Sequence, residues 1–383
     1  MSPQSSSLGL IGGDLFKSST LRSGFRSGIY RPEDNAFIRN YAENVDNFYY
    51  TGNSFTYGTT VFSDPFSLSG IYIKPELDRI YACSGSASDS NNSVTSDNTM
   101  HLKYFSQNGK VSSITSPITT RKVAWITGSF NNTTTWNSEP TGLSFKPDGS
   151  QVILCGNLVT IYSFSTTTEG PIIFQYSLGT NWNISTTQGS GVGQTVTFLG
   201  SNYTIYDTTP DFYGPGPKIY GFGTSSTDRI YDIFIHPDGT TFYYLMGGSN
   251  VSTLYQGSIS STWDIGTDGS NLTLNTASLT LDTSIAGGFT WVGYFSGISF
   301  NSTGTKLYVI SKAYGGIIYQ YNLSTPWQIS TASFKTFLYV GQFKSEIQGA
   351  PQGIIMLPDG ESMICAGLNG STGKLYEYSL LPY

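Results

Sequence analysis

Apolar and polar residues alternate in short runs along most of this chain, and five of the runs align without a gap. They read SGIYIKPELDRIYAC from Ser69, TGLSFKPDGSQVILC from Thr141, YDIFIHPDGTTFYYL from Tyr231, SGISFNSTGTKLYVI from Ser296 and QGIIMLPDGESMICA from Gln352. A period of two places every other side chain on one face of a sheet, so each unit predicts a strand, a tight turn and a second strand. Three of the turns are Asp-Gly, at Asp148-Gly149, Asp238-Gly239 and Asp359-Gly360, the strongest short-range hairpin signal. A third alternating run follows at variable distance: IIFQYSL from Ile172, STLYQGSI from Ser252, GIIYQYNL from Gly316 and GKLYEYSL from Gly373. Next come the phrases TNWNISTTQG from Thr180, STWDIGTDGS from Ser261 and TPWQISTASF from Thr325, then a fourth run such as ASFKTFLYVG from Ala332.

Four antiparallel strands per unit, repeated, predict an all-β chain folded as a β-propeller. Five blades are favoured, with units starting near residues 69, 141, 231, 296 and 352. The turn anchors Pro75, Pro147, Pro237, Ser302 and Pro358 stand 72 residues apart at the first interval and 90 at the second. Those intervals leave room for degenerate blades that would raise the number to six or seven. Each tryptophan phrase is read as the turn between third and fourth strands, with the indole covering the gap between neighbouring blades. The last unit ends three residues after GKLYEYSL and lacks a fourth strand, whereas NFYYTGNSFTYGTT from Asn47 lies upstream of the first unit. This N-terminal strand, about residues 47–60, is expected to complete the last blade and close the ring, leaving the propeller to occupy 46–383.

Residues 1–45 have no partner in this scheme and too little apolar surface to fold alone. They are read as an anchoring arm, with Phe25, Tyr30, Arg31 and Phe37 as its contact residues.

The combination of GLSFKPDG, YQYNLSTPW and QISTASF resembles a propeller repeat found in structural proteins of bacteriophages, especially marine ones. The likeness is strongest over Phe295–Phe334 and fair in the units from Thr141 and Tyr231. It weakens at Ser69, where the turn is Glu76-Leu77-Asp78, and does not extend to the arm. It implies a virion location and a recognition or scaffolding role, and supplies no catalytic residues.

Composition points the same way. Charged residues make up 11% of the 383, against roughly 25% in an average soluble protein. With a net charge of -6 and 19 Lys and Arg, no basic stripe tracks a phosphate backbone, so nucleic acid is not expected as a partner. No run reaches the roughly 20 apolar residues of a membrane span, and MSPQSSSLGLIGGDLFK lacks the pattern of a secretory signal. An outward-facing composition without an export signal fits a virion protein made in the host cytoplasm; a place in the tail rather than the head, and a homo-oligomeric state in the particle, are the further expectations.

Catalytic raw material is sparse. His101 and His236 are the two histidines, and neither belongs to a metal-binding pattern; His236 takes the turn position of Lys74, Lys146, Asn301 and Leu357. Cys83, Cys155 and Cys365 are read as free, buried and apolar, since the first two occupy equivalent places in separate blades. Glu169, Asp207, Asp211, Asp228 and Asp232 could supply a carboxylate pair for glycoside hydrolysis, but the expectation is a non-enzyme without cofactor or metal. GSGVGQ from Gly189 lacks the lysine ending of a phosphate loop and is read as a polar turn.

Recognition is expected on the ring face carrying the long loops, 84–99, 156–171, 200–229, 281–294 and 342–351. The longest offers Tyr203, Tyr206, Phe212, Tyr213, Tyr220 and Phe222 between Gly and Pro. Such Tyr-rich loops give rigid amphipathic contacts suited to a host surface glycan or protein. The expected function is a tail-borne receptor-binding protein, held to other virion proteins by its arm. The alternative is an architectural part, a head decoration or tail collar, whose elaborated face meets a neighbouring subunit.

Overall fold

The computed structural model describes residues 29–31, 36–38, 44–56, 67–85, 99–106, 109–122, 134–162, 165–184, 187–188, 195–198, 201–204, 218–222, 229–247, 252–266, 269–281, 295–311, 316–340, 351–369 and 372–379. Five antiparallel sheets among them make a β-propeller, four with a regular four-stranded order and one irregular. Blade 1 runs Ser67–Ile73, Arg79–Gly85, Thr99–Phe105 and Ile114–Lys122; blade 3 runs Arg229–Ile235, Thr241–Gly247, Ser252–Ile259 and Leu272–Leu281. Blade 4 runs Phe295–Phe300, Lys306–Ser311, Ile317–Leu323 and Ala332–Tyr339. Blade 5 takes Pro351–Met356, Ser362–Asn369 and Thr372–Ser379 from the C-terminal end and its fourth strand, Tyr49–Thr56, from the N-terminal side. The closing strand pairs Thr56 with Lys374 and Tyr49 with Ser379, the ring closure expected from the sequence.

Blade 2 is the irregular one. Its first three strands, Thr134–Phe145, Gln151–Tyr162 and Ser165–Leu178, are long, and its outer edge is shared by Thr187–Gln188 and Lys218–Gly221. Residues 156–171, expected as a loop, are instead mostly the ladder joining Gly156–Tyr162 to Ser165–Ile172. The β-branched run LVTIY followed by STTT favours extended pairing over a turn. Part of 200–229, also expected as a loop, holds Lys218–Gly221, paired to Ile172–Gln175, and Ser201–Thr204, paired to Thr195–Phe198. These strands take up part of the long second interval.

Innermost strands touch in the cyclic order 1, 2, 3, 4, 5 and back to 1. Buried from both sides, they lose alternation, and all of Phe295–Phe300 is buried. The outer strand Leu272–Leu281 still alternates between half-buried and exposed positions. The core lies between blades: the five hydrophobic clusters of the described residues each join two neighbours, as where Tyr81 and Cys83 of blade 1 meet Phe145 and Leu154 of blade 2.

One side-chain device recurs at four of these seams. Gln175, Gln256, Gln320 and Glu377, in equivalent places on third strands, accept the backbone N–H of Ile265, Ile329, Val45 and Val111 at 2.9, 3.3, 2.7 and 2.7 Å. Each acceptor reaches from one blade into the turn before the fourth strand of the next. Val111 belongs to the segment of blade 1 where no tryptophan phrase is recognisable, and Val45 to the chain entering the closing strand. Val45 and Phe48 of that segment are fully buried. The strands Ile29–Arg31 and Ala36–Ile38 pair only with each other among the described residues.

Candidate functional site

A propeller can hold a ligand at either end of its ring or along its axis. At the end carrying the hairpin turns, Trp182, Trp263 and Trp327 adopt left-handed backbone angles, with φ of 64°, 55° and 65°. Their N–H groups donate to the carbonyls of Gly149, Gly239 and Gly304 at 2.8, 3.0 and 2.8 Å, which lays each indole over its own hairpin turn. A Cβ on any of these glycines would sit 2.0–2.3 Å from the ring, so the glycine supplies both the turn geometry and the space. Two of the indoles also reach the preceding blade. Trp182 packs on Tyr72 and Tyr81, and Trp327 on Phe234 and edge-on to His236, at 4.4 Å between ring centres. The hydroxyls of Tyr81 and Tyr243 donate across the seam to the carbonyls of Trp182 and Trp327, at 2.7 and 2.5 Å. The indoles are thus committed to the seams.

The turn acids are committed as well. Asp148, Asp238 and Asp359 each accept the backbone N–H two residues on, at 2.8, 2.8 and 2.9 Å, the Asx-type turn. Asp238 also meets the His236 ring at 2.8 Å. Its carboxyl is held below the usual range: partial burial opposes this, but the bonds from Thr240 and His236 outweigh it. His236 therefore has a structural place, while the His101 backbone pairs with Ala82 in blade 1. Replacing Trp327 by alanine is expected to cost about 3 kcal/mol of stability by denaturant titration, the signature of a seam residue.

At the axis the repeat aligns Gly70, Gly142, Asp232, Gly297 and Gly353. The innermost strands approach so closely that a Cβ on Gly70 would lie 2.6 Å from the Gly142 Cα, and one on Gly297 would lie 3.0 Å from the Gly353 Cα. Beside each axial position the ladder shifts register, and in blades 2 and 4 the displaced residue latches the next blade. Thr141 donates to the carbonyl of Ile230 at 3.0 Å and Ser296 to that of Pro351 at 2.9 Å. Asp232 fills the remaining room: Oδ2 accepts the N–H of Ile298 in blade 4 and Oδ1 that of Ile233, both at 2.9 Å. Burial pushes its carboxyl up to about 8 in spite of those two donors. Alignment of the repeats could have set Asp232 apart, as the one acid in a column of glycines; read among the neighbouring acids it was one of five carboxylates that could supply a pair. The backbone of Glu169 lies in blade 2, and Asp207, Asp211 and Asp228 lie outside the described residues.

The opposite end carries the connections between second and third strands and those between blades. Of the aromatic residues expected there, Tyr206, Phe212 and Tyr213 lie outside the described residues, Tyr203 falls in Ser201–Thr204 and Tyr220 opposite Ile173 in the outer ladder of blade 2. Phe222 is a correction: it is buried, its ring edge-on to Tyr244, and its N–H donates to the carbonyl of Pro171 at 3.0 Å. It belongs to the core between blades 2 and 3, because the strand that carries it is stitched onto blade 2. In the arm, Tyr30 lies opposite Phe37 and Arg31 opposite Ala36, and Phe25 lies outside the described residues. Cys83, Cys155 and Cys365 are buried and free. Among the described residues no three His, Cys, Asp or Glu side chains gather as a metal site would require.

No family model matches the chain, and no curated protein matches it in sequence. Solved structures with a similar course include the β-propeller domain of Cps50 (Swd1) from Myceliophteria thermophila, at 11% identity and a TM-score of 0.39, covering 86% of this chain and 98% of that one. Raptor from Chaetomium thermophilum aligns at 10% identity and a TM-score of 0.38 over 87% of this chain, which spans only 29% of Raptor. A candidate 6-phosphogluconolactonase from Bacteroides fragilis aligns at 10% identity and a TM-score of 0.38, over 82% of this chain and 86% of that one. Likenesses this distant carry no argument about chemistry or partners, which rests on the residues themselves.

Proposed function

We propose that this chain is a non-catalytic recognition protein of a bacteriophage particle, tail-borne, that binds a host surface glycan or protein through the end of the propeller opposite the hairpin turns. The observation that carries this reading is the inequality of the two ends. Indoles, turn acids and seam-crossing tyrosines are spent on structure at the turn end, and the axis is filled by close-packed glycines and Asp232. The long, Tyr-rich connections leave from the other end, where sequence is free to vary on a rigid ring. The resemblance of the repeat to phage structural proteins supports the virion setting, and the arm with Phe25, Tyr30, Arg31 and Phe37 would hold the chain to its neighbours there.

Adsorption of purified protein to host cells tests the reading. Tyr213→Ala is expected to weaken binding by about 1–3 kcal/mol, as for aromatic anchors at interfaces, with folding unchanged. Salt should matter little, because few ionic contacts are available to screen. Asp238→Ala, at the turn end, is the control. Normal adsorption by the Tyr213 variant with impaired adsorption by the control would mean that the other end binds. If no protein adsorbs at any salt concentration, the chain is an architectural component.

A further inference from the structure

Four of the ring's outer edges are open. In blades 1, 3, 4 and 5 the fourth strand pairs with the third alone among the described residues, and such an edge presents a row of N–H and C=O groups on which a further strand can build. Each of these edges is interrupted in its middle. In blade 3 the ladder passes from Thr273 opposite Ser258 to Ala277 opposite Gln256, so residues 274–276 stand against Gly257 alone. Residues 116–118 of blade 1 stand in the same way against Lys103, and residues 51–53 of blade 5 against Glu377. Blade 4 places one extra residue, Lys335, between Phe334 opposite Tyr321 and Thr336 opposite Gln320.

These bulges are held in place. Asn275 and Gly52, at the middle of two of them, take left-handed angles of 57° and 89°. Beside them the hydroxyls of Thr276 and Thr51 donate to the carbonyls of Gln256 and Glu377 at 3.0 and 3.2 Å, and the Asn275 side chain accepts from the Tyr244 hydroxyl. Pro117 in blade 1 has no N–H to offer a partner, and Lys335 in blade 4 is exposed. The longest even run left on these four rims is Ala277–Leu281.

We propose that the bulges are edge guards, which stop this chain from adding strand to strand with a second copy of itself. An added strand needs donors and acceptors at even spacing along a straight edge. A bulge breaks the spacing and increases the local twist, so an incoming strand meets only a short run, and a contact of two strands over so few residues is marginal in water.

Deleting Asn275 and Thr276 leaves Leu274 opposite Gly257 and evens the edge of blade 3; deleting Lys335 does the same in blade 4. Sedimentation of the full-length chain should give an unchanged mass as concentration rises, whereas either deletion should shift progressively to higher mass. Hydrogen exchange in the associated variant should slow in the evened strand, Leu272–Leu281 or Ala332–Tyr339, and not in the other. Lys335→Thr removes the charge but keeps the bulge, and should associate no more than the intact chain. The proposal is overturned if a folded deletion variant keeps the mass of the intact chain, if it associates without slower exchange in the evened strand, or if Lys335→Thr associates as readily as the deletion. Failure of both deletions to fold also overturns it, since a bulge that the fold requires is an element of folding rather than a guard.

Discussion

A chain lacking residues 1–60 is expected to melt far below the full-length protein or to show no cooperative transition, whereas one lacking residues 1–39 should melt with it. The longer deletion removes Val45 and Phe48, both fully buried, whose side chains contribute about 1.5–3 kcal/mol each. It also takes away the N–H that Gln320 accepts and the Asn53 amide that reaches Glu377 at 3.4 Å. Polar groups left buried without those partners cost about 1–3 kcal/mol each. The lost strand exposes a sheet edge besides. Together these approach the whole stability of an ordinary domain, about 5–15 kcal/mol. Equal melting temperatures for the longer truncation and the intact chain would show that the ring holds without its closing strand.

Gly142→Ala should be strongly damaging for a single added methyl group, by about 3 kcal/mol or more on denaturant titration. The added Cβ would lie 2.3 Å from Asp232 Oδ1, 2.8 Å from the Ile233 nitrogen and 2.9 Å from the Asp232 Cα. Two of these are backbone atoms of the adjoining blade, so no rotamer change relieves the clash. Gly52→Ala is the matched comparison: its φ is +89° but nothing lies within 4 Å of the new atom, so it reports backbone strain alone. A Gly142 variant no less stable than the Gly52 variant would mean that the innermost strands have slack.

The propeller, its closing strand and the role of the tryptophan phrases were legible because each rests on a local pattern: a period of two, an Asp-Gly turn, an indole between turn residues. Blade 2 was not, because Leu158–Tyr162 and Ser165–Thr168 have the residue types of strands but sit where other blades have a connection. Val45 and Val111 escaped notice for the opposite reason. Their turns keep the geometry of the Trp phrase without the tryptophan, and what marks them is an N–H aimed at Gln320 or Glu377, a partner 275 or 266 residues away. Asp232 was visible as an acid but not as an axial one, since its meaning comes from the glycines it stands among. The binding end drew on composition and loop length, which indicate where variation is tolerated rather than which side chains meet; Phe222 shows the difference.

The chain enters the ring through the element that closes it. Traction applied at Asn44 is delivered to Val45, Phe48 and the ladder of Tyr49–Thr56 against Lys374–Ser379 before it reaches the strands of blade 1. The segment is keyed to blade 4 by Gln320 and to blade 5 by its strand pairing, so the load is shared at once by two blades from the far end of the sequence. A pull at that point loads the wheel through the rim strand that holds it shut.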